Sequence, residues 1–326
     1  MRFFAHANYD FLARRRIAYA ITAVFLLAGL LAMLVRGVNY SVEFTGGTRM
    51  RVEAVEPVDV GAIRTGLQAQ GIASAEIQTF GSDREFVIRA GRAREGADPN
   101  DTEATSGAIR GALDAVLGAN QYRVLDTGAV SPKVGSELRS QALLAILLSF
   151  VAVLAYLAVR FEWRFGVAAV IATAHDLLAT IAFIAILRIE VSLFVVAALL
   201  SIVGYSLNDT IVIFDRVREN LHKLKHKSFT DILNQSVNET LPRTVITGGT
   251  ALGSLIAMAA LGGDVVRPFA LIMLFGLVVG TFSSIFVASP VLLEIERRWP
   301  GPHARGLRAD GRKAAAVPGR KTQPVA

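Results

Sequence analysis

The chain contains no cysteine. That excludes disulfides, thiolate nucleophiles and cysteine-held metals, so any domain outside a membrane must stand on packing alone. Charge is scarce too. Asp, Glu, Lys and Arg make up 19% of the residues, against roughly 25% in an ordinary soluble domain. Histidine occurs five times, and none falls between residues 40 and 135. Apolar residues fill the difference, at 53% of the chain, and the mean hydropathy is +0.47.

The distribution of the apolar residues is more telling than their total. Crossing a hydrocarbon core takes about 20 mostly apolar residues in a helix. Six segments of this 326-residue chain qualify, and the predicted spans are 17–36, 138–159, 163–187, 191–215, 244–261 and 268–293. A large soluble core does not account for them, because buried core helices rarely stay apolar beyond about 14 residues. Arg14, Arg15 and Arg16 precede the first run as the basic region of a secretory signal would. The apolar stretch is too long for a signal and no Ala-x-Ala site follows it, so a retained signal anchor is expected.

Orientation follows from basic residues. Arginines dominate the tail 1–16, and Lys and Arg outnumber acids in the connection 216–243 and in the tail 294–326. With six spans these segments share one side, so both termini are expected in the cytoplasm. The inserted segment 37–137 is acidic on balance and falls on the periplasmic side. The net charge of +7 is then a record of topology, and nucleic-acid binding is not needed to explain it.

Within the insert, Arg49–Val55 alternates Met50, Val52 and Ala54 with charged residues, the period of a half-buried strand. Residues 59–70 read as a helix ended by Gly71, with Val60, Ile63 and Leu67 on one face. Residues 75–80 and 85–90 read as a hairpin across Gly81-Ser82-Asp83-Arg84. A polar loop over 93–103, a helix over 105–117 and a strand over 121–126 complete the order β-α-β-β-α-β, a ferredoxin-like α+β arrangement. No metal cluster or phosphate-cradling loop is present there. Gly46-Gly47 reads as a bend where the chain enters the sheet, and the domain as a contact or lever module.

Ionisable groups inside spans are costly and are functional candidates by default. Asp176, beside His175, falls near the middle of the third span. Asp209 lies about 9 Å inside the fourth, at 1.5 Å per residue, next to Asn208 and one turn beyond Tyr205. Asp215 and Arg216 mark the membrane boundary. The antiparallel return of the fifth span can bring Arg243 toward Asp209. A carboxylate beside an arginine stays charged, and one that loses its arginine in a low dielectric takes a proton. The pair is thus a proton switch or a structural salt bridge, and the residues alone leave both open. Gly248, Gly249, Gly253, Gly276, Gly280, Ser283 and Ser284 permit close helix packing. Asn208-Asp209-Thr210 and Asn238-Glu239-Thr240 fit the glycosylation pattern but fall in a span and on the cytoplasmic side. Gly262-Gly263-Asp264 resembles an intramembrane protease motif, yet falls in the loop between the last two spans.

The run from Val203 through Gly204-Tyr205-Ser206-Leu207-Asn208-Asp209-Thr210 to Phe214-Asp215-Arg216-Val217-Arg218-Glu219-Asn220 resembles the signature of the SecF branch of the SecD/SecF protein-export family, within the RND superfamily. Further matching pieces are Val42-Glu43-Phe44-Thr45-Gly46-Gly47-Thr48, Ala174-His175-Asp176, Asn238-Glu239-Thr240-Leu241-Pro242-Arg243-Thr244 and Ser283–Pro290. Departures are Glu43 where the family usually has Asp, Ser131-Pro132 for Gly-Pro, and Gly248 where Ser is frequent.

The resemblance implies a six-span RND-type bundle in the bacterial inner membrane, paired with SecD. It implies association with the SecYEG channel, with YidC and YajC, with unfolded exported polypeptide and with membrane lipids, and no nucleic acid. Translocation would draw on the proton-motive force, with protons as the coupling ion and no cofactor. Asp209 and Arg243 would form this chain's share of the proton path, with Asn208 accessory and Asp176 and Asp215 weaker candidates. An efflux transporter of the same superfamily and a passive scaffold are the alternatives. With no nucleophile–base pair or metal cluster in the sequence, an enzyme is not expected.

Overall fold

The computed structural model describes residues 8–72, 75–80, 82–91, 102–130 and 132–300. Most of the loop predicted over 93–103 lies outside them. Six helical segments are long and apolar enough to cross a membrane: Leu12–Arg36, Lys133–Arg160, Trp163–Leu187, Leu193–Lys223, Phe229–Leu261 and Val266–Arg298. In chain order the elements are helix α1 (Arg15–Arg36), short helix α2 (Val42–Thr45), strand β1 (Gly47–Ala54), α3 (Val60–Ala69), β2 (Ala75–Phe80), β3 (Ser82–Ala90), α4 (Thr102–Leu117) and β4 (Tyr122–Val130). The remaining spans are α5 (Pro132–Arg160), α6 (Trp163–Leu187), α7 (Leu193–Lys223), α8 (Phe229–Leu261) and α9 (Gly263–Ser283), followed by a π turn (Ser284–Ala288) and α10 (Ser289–Arg298).

The strands form one antiparallel sheet in the order β2-β3-β1-β4, which is the ferredoxin-like split βαβ. Alternation puts Met50, Val52 and Ala54 of β1 and Phe86, Ile88 and Ala90 of β3 on one buried face. Ile63 and Leu67 of α3 and Ile109, Ala112 and Leu113 of α4 close over it. The opposite face is polar, and there Arg49 pairs with Asp126 at 2.8 Å and Arg51 with Glu85. Asp59 caps α3, its carboxylate accepting from the Gly61 amide at 2.9 Å. β4 runs four residues past the predicted end, and β3 begins at Ser82, so the hairpin turn is tighter than the sequence suggests.

The helices on the far side also exceed their predicted limits. α7 continues to Lys223 and α8 begins at Phe229, so the predicted connection 216–243 is mostly helix and only residues 224–228 link the two. The reason is amphipathic. Phe214, Val217 and Leu221 of α7 and Phe229, Leu233 and Val237 of α8 are buried with Phe165 and Leu292, while the charges point outward. Likewise Gly262 alone separates α8 from α9, so Gly262-Gly263 is a sharp corner where a loop was expected.

Burial divides the bundle. α7 and the last span are about half buried and α6 somewhat less, while α1 and α5 are almost bare and α8 shows most of its surface. The central helices meet closely because a Cβ on Gly276 would stand 2.2 Å from Ile202 Cδ1, and one on Gly280 would stand 3.0 Å from Ser206 Cβ. The π turn follows at Ser284, just before Pro290, whose missing amide cannot continue the ladder. Ser289 Oγ donates to the Ser284 carbonyl across it at 3.1 Å.

Candidate functional site: a polar seam inside the bundle

The seam is built where α6, α7 and α9 touch. Asp176 of α6 is fully buried. Its Oδ2 accepts from Ser283 Oγ of α9 at 2.6 Å and from Ser206 Oγ of α7, and its Oδ1 faces His175 Nδ1 at 2.8 Å. One carboxylate thus ties three spans together. The hydroxyls of Thr210 and Ser284 pair at 2.8 Å alongside.

Asp209 is differently placed. It is 5% exposed, and Thr281 Oγ1 donates to its Oδ2 at 3.2 Å. A carboxylate has about four lone-pair sites, so a single hydroxyl leaves it under-coordinated. Arg243 of α8 acts on it through space, but the two do not form an ion pair. The salt-bridge arrangement left open by the sequence is therefore absent from this conformation. Arg243 and Asn208 are both exposed, on the neighbouring helices α8 and α7. Exposed Gly249, Thr250, Gly253 and Ser254 extend the same kind of small, polar surface along α8. Tyr205 Oη and His175 Nε2 are buried without a hydrogen-bond partner among the described residues. Unpaired buried groups cost about 1–3 kcal/mol each.

Asp215 stands apart from this seam. Both its oxygens accept from Arg160 Nη2, at 2.9 and 2.8 Å, which joins α7 to the end of α5. Among the described residues no group of three or more His, Asp or Glu is placed to hold a metal ion.

Two of the motifs make long-range contacts that no local pattern in the sequence reports. Glu43 Oε2 accepts from the Leu193 amide at 2.9 Å and so caps α7 from 150 residues away. The same stretch is stitched down by Ser41 N–H to the Val191 carbonyl at 3.0 Å and Val191 N–H to the Asn39 carbonyl at 2.7 Å. Gly46 supplies the bend at φ 80°, and a Cβ on Gly47 would stand 2.3 Å from the Ala90 carbonyl oxygen. At the other end, Asn238 holds the backbone of Tyr9 on both sides, accepting from its amide and donating to its carbonyl at 2.9 Å each. Glu239 gathers Asn220 at 2.8 Å, Gln235 at 2.7 Å and Arg216. The motif Asn238-Glu239 therefore clamps α8 to α7 and to the N-terminal segment.

Comparison with known proteins adds to this geometry. The model of "Protein export membrane protein SecD/SecF, C-terminal" matches residues 113–298, more than half of the chain, and that of "SecD/SecF GG Motif" matches residues 31–58. The protein translocase subunit SecF of Gemmatimonas aurantiaca is 49% identical over 333 aligned residues, covering 100% of this chain and 99% of that one. The chain belongs to the SecF branch of the SecD/SecF family. SecF of Desulfurispirillum indicum is 41% identical over 91% of this chain and 95% of its own length. The crystal structure of SecDF from Thermus thermophilus, described as a translocon-associated membrane protein, superposes with a TM-score of 0.74 at 36% identity, over 90% of this chain. SecDF in its super-membrane-facing form superposes at 0.71 and 34%, over 96% of this chain. This chain spans about two fifths of those SecDF chains, 39% and 41%. As a SecF-family member it is a multi-pass membrane protein of the protein translocase.

Proposed function

We propose that this SecF-family chain pairs with a SecD-type half in the bacterial inner membrane, both termini in the cytoplasm, and couples proton entry at Asp209 to polypeptide export through SecYEG. YidC and YajC belong to the same expected assembly, and protons serve as the coupling ion with no cofactor. The observation that carries the reading is the state of Asp209: buried, held by one hydroxyl, and out of ion-pair contact with Arg243. A carboxylate so placed changes its charge when Arg243 or a partner's group approaches or withdraws. Asn208 and Arg243 lie exposed on α7 and α8, accessible to a second half. Asp176, held by three side chains, acts as the rigid joint against which α7 works. One proton moved through 100 mV releases about 2.3 kcal/mol. That suffices to bias a rocking motion of the sheet domain, which is joined to α7 through Glu43.

Asp209→Asn in reconstituted vesicles is expected to abolish the proton-dependent part of translocation while co-purification with SecD persists. Full retained activity would defeat the assignment. Proton flux through the assembled pair separates this reading from a passive scaffold, which would carry none. Transport of a small apolar substrate by the pair would favour the efflux alternative.

A further inference from the structure

A cavity of about 240 Å³ opens between the ends of α1, α5, α6 and α7, on the membrane side of the sheet domain and away from the polar seam. Its floor is apolar, formed by residues such as Leu143, Ile146, Ile181 and Val195. Two cations stand in its lining, Arg139 near the start of α5 and Arg188 in the turn between α6 and α7. Among the described residues neither guanidinium forms an ion pair with a carboxylate. Of the acids on the adjoining segments, Glu43 is committed to the α7 amide, and Glu190, two residues after Arg188, has a partner of its own. Arg139 lies over the Tyr40 ring, 5.7 Å from its centroid, which holds the charge at the rim. Arg188 adopts a left-handed backbone, φ 54°, at the end of α6. Glycine or asparagine fits that position with less strain, so a side-chain function accounts for arginine there better than turn geometry does.

We propose that this cavity is a binding site for one anionic phospholipid, with an acyl chain on the apolar floor and the headgroup phosphate between Arg139 and Arg188. Charge complementarity selects the occupant. Two unpaired guanidiniums at the end of membrane-crossing helices sit at headgroup level, where Arg recognises phosphate by paired N–H donors. An apolar floor beneath that level suits hydrocarbon. The volume accommodates part of one chain and is too small for a drug-sized molecule. This site stands whether or not Asp209 carries protons.

The test is native mass spectrometry of the full chain in detergent with added phosphatidylglycerol, phosphatidylcholine of the same chains, or glycerol phosphate. The wild type is expected to retain one phosphatidylglycerol in preference to phosphatidylcholine and to keep it against glycerol phosphate. Arg139→Gln/Arg188→Gln is expected to lose retention about tenfold or more, the effect of roughly 1.4 kcal/mol, with unchanged helicity and melting. Ile146→Trp, which fills the floor and leaves both arginines, is expected to lose it as well. Undiminished retention in the double variant, equal retention of phosphatidylcholine, or displacement by glycerol phosphate overturns the proposal. So does equal displacement by an unfolded export substrate, which would make the groove a peptide site.

Discussion

Replacing Glu43 by alanine removes a side-chain acceptor that reaches the first turn of α7. Its Oε2 lies 2.9 Å from the Leu193 amide, and Ser192, at the N-cap position, makes no side-chain cap bond of its own. Loss of a cap costs about 1 kcal/mol. The interaction of the carboxylate with the positive helix end is worth about 0.3–1 kcal/mol. These contributions overlap, so roughly 1–1.4 kcal/mol is expected, and by the same scale opening of the first turn rises about five- to tenfold. Hydrogen–deuterium exchange of the full chain reads this directly: amides 193–196 should exchange faster by that factor, while the body of α6 is unchanged. Glu43→Gln keeps an acceptor without the charge and should fall between the two. Unaltered exchange over 193–196 in Glu43→Ala would refute the cap. It would also remove the direct hydrogen bond joining the segment before the sheet to the helix that carries Asp209.

Gly276→Val should destabilise the bundle by about 1–3 kcal/mol through overpacking, since the new Cβ meets Ile202 at 2.2 Å; adding Ile202→Ala should restore much of the melting temperature. Asn238→Ala should release the segment around Tyr9, which limited proteolysis near residues 8–12 would register, because both backbone bonds to Tyr9 are lost. Tyr122 lies outside the spans, and burial, reinforced by its 2.9 Å bond to Asp114, pushes its phenol up to about 12 from 10.0. Its contribution to stability is therefore whole below pH 10 and lost as pH climbs toward 12. Tyr122→Phe should remove a step near pH 12 from a tyrosinate absorbance titration and flatten that loss.

The sheet domain was legible because its signals are local. Met50, Val52 and Ala54 announce a strand by alternation, and Val60, Ile63 and Leu67 with the Gly71 stop announce a helix within a dozen residues. Spans were legible as runs, yet the helices beyond them were read as connection. Charges such as Arg216, Glu219 and Glu239 hide an apolar stripe that only the packing of Phe214 on Phe165 reveals. At the seam the depth of Asp209 followed from counting residues, but facing did not. Asn208, adjacent in sequence, points outward, and Arg243 stops short of contact. The place of Asp176 depends on Ser206 and Ser283, 30 and 107 residues away, and no periodicity reports a bond across three helices. The same holds for Glu43 and Leu193.

The π turn at Ser284–Ala288 acts as a phase shifter in the last span. A wide turn inserts one residue into the spiral, and each residue advances an α-helix by about 100°. Leu292, Leu293 and Ile295 are buried at the far end because that extra step turns them inward, while Ser283 and Ser284 upstream keep their grip on Asp176 and Thr210. Removing a single residue within the turn would mend the hydrogen-bond ladder and leave these side chains facing as they do, whereas winding all its residues into a regular helix would rotate them by about 100°. With this number of residues the irregularity is what lets one helix serve two differently facing ends.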